Sequence, residues 1–328
     1  MGTTRTERRA GATAVGAAHD RAKRAAAPAA RSCDADLQRY TRCAQASTAR
    51  VIGRYSTSFA LATRLFDSRT RRHVRNVYGL VRVADEIVDG AAAEAGLDRA
   101  GQRALLDALE EDTMRAMTHG YSANLVVHAF ADTARTVGID ETLTAPFFAS
   151  MRRDLDPAPF TARTVTDYVY GSAEVVGLMC LRVFLHGRNC PDARRARLEA
   201  GARRLGAAFQ KINFLRDLAA DWQRLGRNYF PGTDPDAFTD DAKNAILDEI
   251  DDDLRAARAV VGELPMGCRA AVIAAHDLFR ALSARLRATP ATGILTSRVR
   301  VSPPRKIAIA VHAELTGLRK GARWPAPS

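Results

Sequence analysis

Between residues 34 and 319, apolar side chains recur every three or four positions, in stretches broken at glycine, proline or short polar clusters. That period marks amphipathic helices, and nowhere does the chain show the strict alternation of a half-buried strand. The pattern predicts a helix over 34–53, a polar cluster at 55–59, an apolar run at 60–66, and helices over 68–89, 97–118 and 121–137. Further helices follow over 141–154, 164–186, 192–225, 239–264, 267–288 and 304–319. The breaks carry the expected chemistry. Asp67 and Ser68 read as a helix cap, Gly90 and Gly120 as stops, Pro157 and Pro159 as an end, and Pro191 as a start. Residues 226–235, G-R-N-Y-F-P-G-T-D-P, read as a loop. There is no repeat of 20–50 residues, no G-x-G-x-x-G and no P-loop.

Two of these helices are apolar almost all round, and such helices belong inside a protein. The first reads Y-G-L-V-R-V-A-D-E-I-V-D (78–89). Tyr78, Arg82, Asp85 and Asp89 stand at i, i+4, i+7 and i+11, one narrow stripe on a helix, and only Glu86 breaks the apolar remainder. The second reads A-F-Q-K-I-N-F-L-R-D-L-A-A-D-W (208–222), with Gln210, Asn213, Asp217 and Asp221 at i, i+3, i+7 and i+11. Buried carboxylates repel and are costly without partners. Hard divalent cations with oxygen ligands resolve that conflict. Mg²⁺ in particular takes one or two carboxylates together with substrate phosphates, with Mn²⁺ an alternative. The pattern implies a cavity in which Mg²⁺ holds a phosphorylated, mostly apolar substrate. Read alone, either stripe is also what a solvated helix face carries.

Composition agrees with helix: plentiful Ala, Leu and Arg, and only 6% aromatic residues. The net charge of +12 is uneven, because residues 1–31 set seven Arg/Lys against Glu7 and Asp20 and so hold +5 of it. That segment has almost no large apolar side chains and is expected to be a disordered basic tail. Residues 32–320 are expected to form one domain and 321–328 a C-terminal tail. A positive body suits anionic partners such as diphosphates and acidic lipid headgroups. The five cysteines form no C-x-x-C pair and read as reduced cytosolic thiols. The seven histidines make no metal-ligand pair, and most of them are expected at the surface or half-buried. No uninterrupted apolar run of transmembrane length occurs, and the basic N-terminus lacks the apolar core of a secretory signal. A cytoplasmic protein is expected, peripheral at the inner face of the membrane. The sequence carries no mark of its oligomeric state.

S-T-S-F (56–59), Y-G-L-V-R-V-A-D-E-I-V-D-G (78–90), Y-V-Y-G-S-A-E-V-V-G-L-M (168–179) and Q-K-I-N-F-L-R-D-L-A-A-D (210–221), followed by G-R-N-Y-F-P (226–231), resemble the phytoene/squalene synthase family. The resemblance covers roughly 55–304 in the family's order, and its wording is most like the bacterial phytoene synthases. It implies an all-α, single-domain helical bundle of the prenyl synthase type with a central cavity, which condenses two prenyl diphosphates head to head. It assigns Asp85, Asp89, Asn213, Asp217 and Asp221 to the Mg²⁺ cluster. Ser56, Thr57, Ser58, Tyr78, Arg82, Gln210, Arg216 and Tyr229 would contact diphosphate or line the site, and Tyr168 would lie near the carbocation. Two molecules of geranylgeranyl diphosphate would give phytoene through a cyclopropyl diphosphate, the first step of carotenoid biosynthesis. A C30 reaction on farnesyl diphosphate, to squalene or dehydrosqualene, is the alternative. No nicotinamide is expected, since no dinucleotide fingerprint occurs. A class I terpene cyclase would read N-D-x-x-S-x-x-x-E where this chain has D-x-x-x-D.

The chain departs from the family's wording in places. Tyr55 and Thr57 stand where relatives often have H-S-K-S-F, which removes a cation. Glu174 replaces a small residue of A-G-T-V-G and is expected to point outwards. The stretch from Asp221 to Tyr229 is one residue longer than in many relatives. R-V-R-V (298–301) is familiar, but Gly293 lies about where a tyrosine is common. A reading of another class, a basic helical module for nucleic acid or protein, predicts steep salt dependence and indifference to Asp85→Asn. The synthase reading expects no nucleic-acid partner.

Overall fold

The computed structural model describes residues 35–156, 158–225, 227–234 and 237–317, and among these all regular structure is helical. The expected basic tail, 1–31, and the C-terminal tail, 321–328, lie outside the described residues. Helix α1 spans 35–55. It is followed by α2 (Thr57–Thr63), α3 (Ser68–Val88), α4 (Ala91–Glu94), α5 (Arg99–His119), α6 (Leu125–Val137), α7 (Glu141–Asp154) and α8 (Ala162–Val169). A π-helical segment, Tyr170–Glu174, joins α8 to α9 (Val175–Leu185). Then come α10 (Asp192–Leu225), α11 (Asp240–Val260), α12 (Met266–Ala288), α13 (Ala291–Ile294) and α14 (Pro303–Gly317).

Side-chain caps set most of the starts. Asp67 accepts from the Thr70 amide to open α3, and Asp98, Asp140, Thr161 and Thr239 do the same for α5, α7, α8 and α11. The helix expected from residue 121 begins only at Leu125, because the Asn124 carbonyl caps the Val126 and Val127 amides.

Two cores form. In one, Val77, Leu80 and Ala84 of α3 meet Leu106, Phe130, Phe147, Phe148 and Met179 from α5, α6, α7 and α9. In the other, Ile212, Leu215 and Leu218 of α10 meet Leu247, Ile250, Phe279 and Leu286 from α11 and α12. The long α10 also packs on α9 and the π segment, which joins the halves.

The helix expected over 164–186 is therefore three pieces. A Cβ at Gly171 would lie 2.2 Å from the Pro146 carbonyl oxygen and 2.1 Å from Ser150 Oγ, so only glycine allows α7 this close. Ser150 Oγ in turn donates to the Tyr168 carbonyl at 3.2 Å, satisfying a backbone group at the change of helical register. By length and composition, residues Ala162–Leu185 are apolar enough to cross a membrane, but half of the most apolar window is buried inside the protein.

One expectation is corrected. Glu174 does not face outwards: its side chain is 15% exposed and takes a 2.6 Å bond from Arg203 Nε on α10. His73, His128 and His276 are buried, each with a polar partner: Thr133, Thr41 and Leu254 O respectively. The thiols of Cys43, Cys180, Cys190 and Cys268 are free.

Candidate active site

The α3 stripe forms as its spacing predicts. Arg82 Nη1 lies 3.9 Å from Asp85 Oδ2, Arg82 Nη2 bonds Glu86, and the guanidinium sits 4.3 Å over the Tyr55 ring. Glu86, the break in the apolar pattern, thus anchors Arg82, and its other oxygen accepts from the Ala91 amide at 3.1 Å. Although 38% of the Asp85 side chain is open, the surrounding protein mass pushes its carboxyl up to about 7, opposed by Arg82 and reinforced by the charges of Asp89 and Glu86.

Asp89 caps the C-terminus of α3 and reaches across to the loop after α10, where Arg227 Nη1 meets its Oδ1 at 2.7 Å. The same guanidinium donates to the Asp154 carbonyl at 2.5 Å and lies 3.5 Å from the Asp154 carboxylate. The Arg227 amide donates to the Asp221 carbonyl at 3.0 Å. One residue therefore connects the first acidic stripe to the second.

Asp154 closes this network from the last residue of α7, with its side chain only 2% exposed. Tyr168 Oη donates to Asp154 Oδ2 at 2.8 Å, and Tyr229 Oη to Oδ1 at 3.3 Å. Phe160, Phe214, Tyr168 and Tyr229 pack ring on ring around it, with Phe214 and Tyr229 stacked at 4.0 Å. Burial, and then the charge of Asp89, raise the Asp154 carboxyl well above the usual range, against Arg227 and the Tyr168 hydrogen bond. Burial and Asp154 likewise raise both phenols, which keep their protons. Burial works against the charge on Arg227, but Asp154, Tyr229 and Asp89 outweigh it and hold its proton firmly.

On α10 the second stripe carries half-buried Gln210, Asn213, Asp217 and Asp221. Asp217 is gripped from two sides. Arg216 donates Nε at 3.0 Å and Nη2 to its two oxygens, and Arg298, from R-V-R-V, approaches the same oxygens at 2.8 and 3.2 Å.

At the hydroxyl motif, Ser56 Oγ accepts from the Phe59 amide at 3.1 Å and caps α2. Thr57 Oγ1 accepts from Lys306 Nζ of α14 at 3.3 Å. The cation absent from the motif's own sequence thus arrives from α14. The Ser58 side chain lies outside the described residues. Phe59 wedges between Tyr78 at 6.2 Å, Phe209 at 6.2 Å and Phe279 at 5.9 Å, which ties the α3 stripe to α10 and α12.

The structure thus brings Tyr78, Arg82 and Asp85 together, joins Asp89, Tyr168 and Tyr229 through Arg227 and Asp154, and pairs Asp217 with Arg216. It does not gather the aspartates into one cage: among the described residues no three His, Cys, Asp or Glu stand close enough to hold an ion by themselves. The donor set nevertheless fits a hard divalent cation. Asp85 is a carboxyl raised by burial and by the charges of Asp89 and Glu86, and Mg²⁺ takes only one or two carboxylates when phosphate supplies the other oxygens. The reading by stripes missed Asp154 and Arg227. Asp154 does leave a trace, a lone acid in step with Phe147, Ser150 and Met151 on the buried face of α7.

The squalene/phytoene synthase family model matches residues 52–305. The chain is 28% identical over 248 residues to a 15-cis-phytoene synthase of a Paracoccus species, covering 71% of this chain and 78% of that protein. It is 29% identical over 254 residues to a phytoene synthase of Pseudescherichia vulneris, covering 71% and 79%. Among solved structures, a ligand-bound dehydrosqualene synthase superposes with a TM-score of 0.70 at 21% identity, over 85% of this chain and 98% of that one.

Proposed function

Because the chain belongs to the squalene/phytoene synthase family, we propose that it joins two molecules of geranylgeranyl diphosphate head to head into phytoene. The relatives named phytoene synthase support the C20 substrate; farnesyl diphosphate giving a C30 product is the alternative. The observation that carries the reading is Arg227, which holds Asp89 of the first stripe by its side chain and the Asp221 carbonyl of the second by its amide.

In this reading Asp85 and Asp89 on one wall, and Asn213, Asp217 and Asp221 on the other, would hold Mg²⁺, which when bound neutralises charge growing on the departing diphosphate. Arg82, Arg298 and Lys306, whose guanidinium and ammonium groups stand beside the acids and Thr57, bind phosphate oxygens. Tyr78, Gln210 and Arg216 line the same space. Breakage of the C1–O bond of one substrate leaves an allylic cation, which the double bond of the other attacks. Proton loss closes a cyclopropane. Departure of the second diphosphate, rearrangement and a further proton loss leave a central triene. Phe59, Phe209, Phe279 and Phe214 keep water from these cations. Tyr168, fixed by its hydrogen bond to Asp154, presents an aromatic face and a phenol that keeps its proton.

Peripheral contact with an anionic membrane suits a product that water does not dissolve. Its support is α14, where Ile307, Val311 and Leu315 are 59%, 54% and 65% exposed at i, i+4 and i+8 beside Arg305.

The test is to incubate the protein with Mg²⁺ and either the C15 or the C20 diphosphate and weigh the hydrocarbon by mass spectrometry. A C40 hydrocarbon supports the proposal and a C30 product transfers it to the alternative. Wild-type turnover by Asp85→Asn or Asp217→Asn would remove the assigned metal site.

A further inference from the structure

The polar stripe of α3 does not begin at Tyr78. Arg71 and Arg75 precede it at i−7 and i−3, so one face of the helix carries arginines in its first half and aspartates in its last. Arg71 turns back to the carbonyls of Arg64 at 3.1 Å and Phe66 at 2.8 Å, closing the turn after α2 and fixing Arg64 beside it. Arg75, one turn further on, is half-buried and has no hydrogen-bond or ion-pair partner among the described residues. The Nε atoms of Arg71 and Arg75 are both buried and unbonded.

The charges that bear on Arg75 are all positive. Burial first, and then Arg71 and Arg64, lower its affinity for its own proton, and no carboxylate offsets them. A buried guanidinium nitrogen without an acceptor is costly, and two like charges nearby add to the cost. An anion with several oxygens relieves both costs at once, and planar guanidinium forks suit phosphate oxygens. Arg71 alone is explained as a cap for the α2 turn; Arg75 is not explained by packing or by any partner.

The geometry points to a phosphate-binding site made by Arg64, Arg71 and Arg75, separate from the aspartates and about 10 Å along α3 from Arg82. Its ligand is a phosphate or diphosphate group, whether free in solution or on an anionic lipid. The inference is independent of the proposed reaction, because the site needs no metal and no turnover.

The experiment is calorimetric titration of the whole protein with inorganic diphosphate in the presence of a chelator, alongside flotation with vesicles of phosphatidylcholine alone or mixed with phosphatidylglycerol. Wild type is expected to bind in at least one arm. Arg75→Gln should weaken that binding roughly tenfold, as loss of one charge-assisted contact would. Arg64→Gln, at an exposed side chain that leaves the fold intact, should weaken it severalfold. Loss of diphosphate binding with vesicle binding unmoved assigns the site to a soluble anion. Loss of the phosphatidylglycerol preference alone assigns it to a headgroup. Absence of binding in both arms, or binding that neither variant changes, overturns the proposal.

Discussion

Helix α3 shows two kinds of polarity on two of its faces. On one, His73 Nδ1 and Asn76 Nδ2 each meet Thr133 Oγ1 at 2.9 Å, and Thr48 Oγ1 donates to Asn76 Oδ1 at 2.6 Å. Every member of that chain is neutral and buried, and it ties α1, α3 and α6 together. On the other face Arg82, Asp85 and Asp89 are ionisable, partly open, and met by side chains from distant segments such as Arg227. The neutral face spends its hydrogen bonds on the fold. In the proposed reaction a metal and a diphosphate would replace the contacts of the charged face, because each guanidinium there offers to a carboxylate what a bound cation would offer. Low dielectric makes the first arrangement rigid and the second expensive.

The sharpest way to break this contrast is Asp85→Asn. Hydrocarbon formation from labelled geranylgeranyl diphosphate should fall about 10²–10³-fold, while the melting temperature holds or rises, since a carboxyl whose charge is disfavoured has been removed. A melting temperature that collapsed instead would place Asp85 among the structural groups.

The next effect belongs to pH. Burial, with help from Arg72, lowers His73 to about 4, so the fold holds it neutral while the unfolded chain takes up a proton below its ordinary value of about 6.5. Its contribution is present above that value and disappears as pH falls towards 4, a loss of up to about 3 kcal/mol. Urea unfolding of wild type and His73→Gln across that window measures it. A difference between the two that stays flat with pH would clear His73 of the effect.

Smaller again is Asn76→Ala, which leaves the Thr48 and Thr133 hydroxyls short of a partner and should cost about 2 kcal/mol in the same assay. Turnover per folded molecule should stay at the wild-type level, and a drop would mean that the two faces are coupled. Smallest in stability is Arg298→Gln, at a half-exposed pair with Asp217. It should change stability by no more than about 0.5 kcal/mol but raise KM for the prenyl diphosphate severalfold. An unchanged KM would separate Arg298 from diphosphate binding.

What could be read from the sequence follows the same division. The helices were legible because their caps and apolar periods are local: Asp67, Pro191 and Thr239 mark starts that the structure keeps or shifts by one residue. The two acid stripes were legible because four residues on one helix are a local pattern. Asp154 was not, because what makes it special comes from elsewhere: Tyr168, Arg227 and Tyr229 lie 14, 73 and 75 residues away. Lys306 is farther still, 249 residues from the Thr57 it serves. Which three histidines are buried was not legible for the same reason, since their hydroxyl and carbonyl partners sit on other helices. The division of the helix over 164–186 left no periodic signal at all.

That division has a consequence for how the chain tolerates change. A π-helical segment holds one residue more than the same length of α-helix would, so everything beyond it is rotated by about 100° relative to what precedes. Upstream, Tyr168 is aimed at Asp154; downstream, Val175, Met179 and Val183 are aimed into the apolar core. The segment works as a phase shifter, letting one continuous rod satisfy two mismatched neighbours. Length rather than composition is then the constrained quantity: deleting a single residue between Tyr170 and Glu174 would restore an unbroken α spiral and force the rod to give up either its tyrosine or its packing.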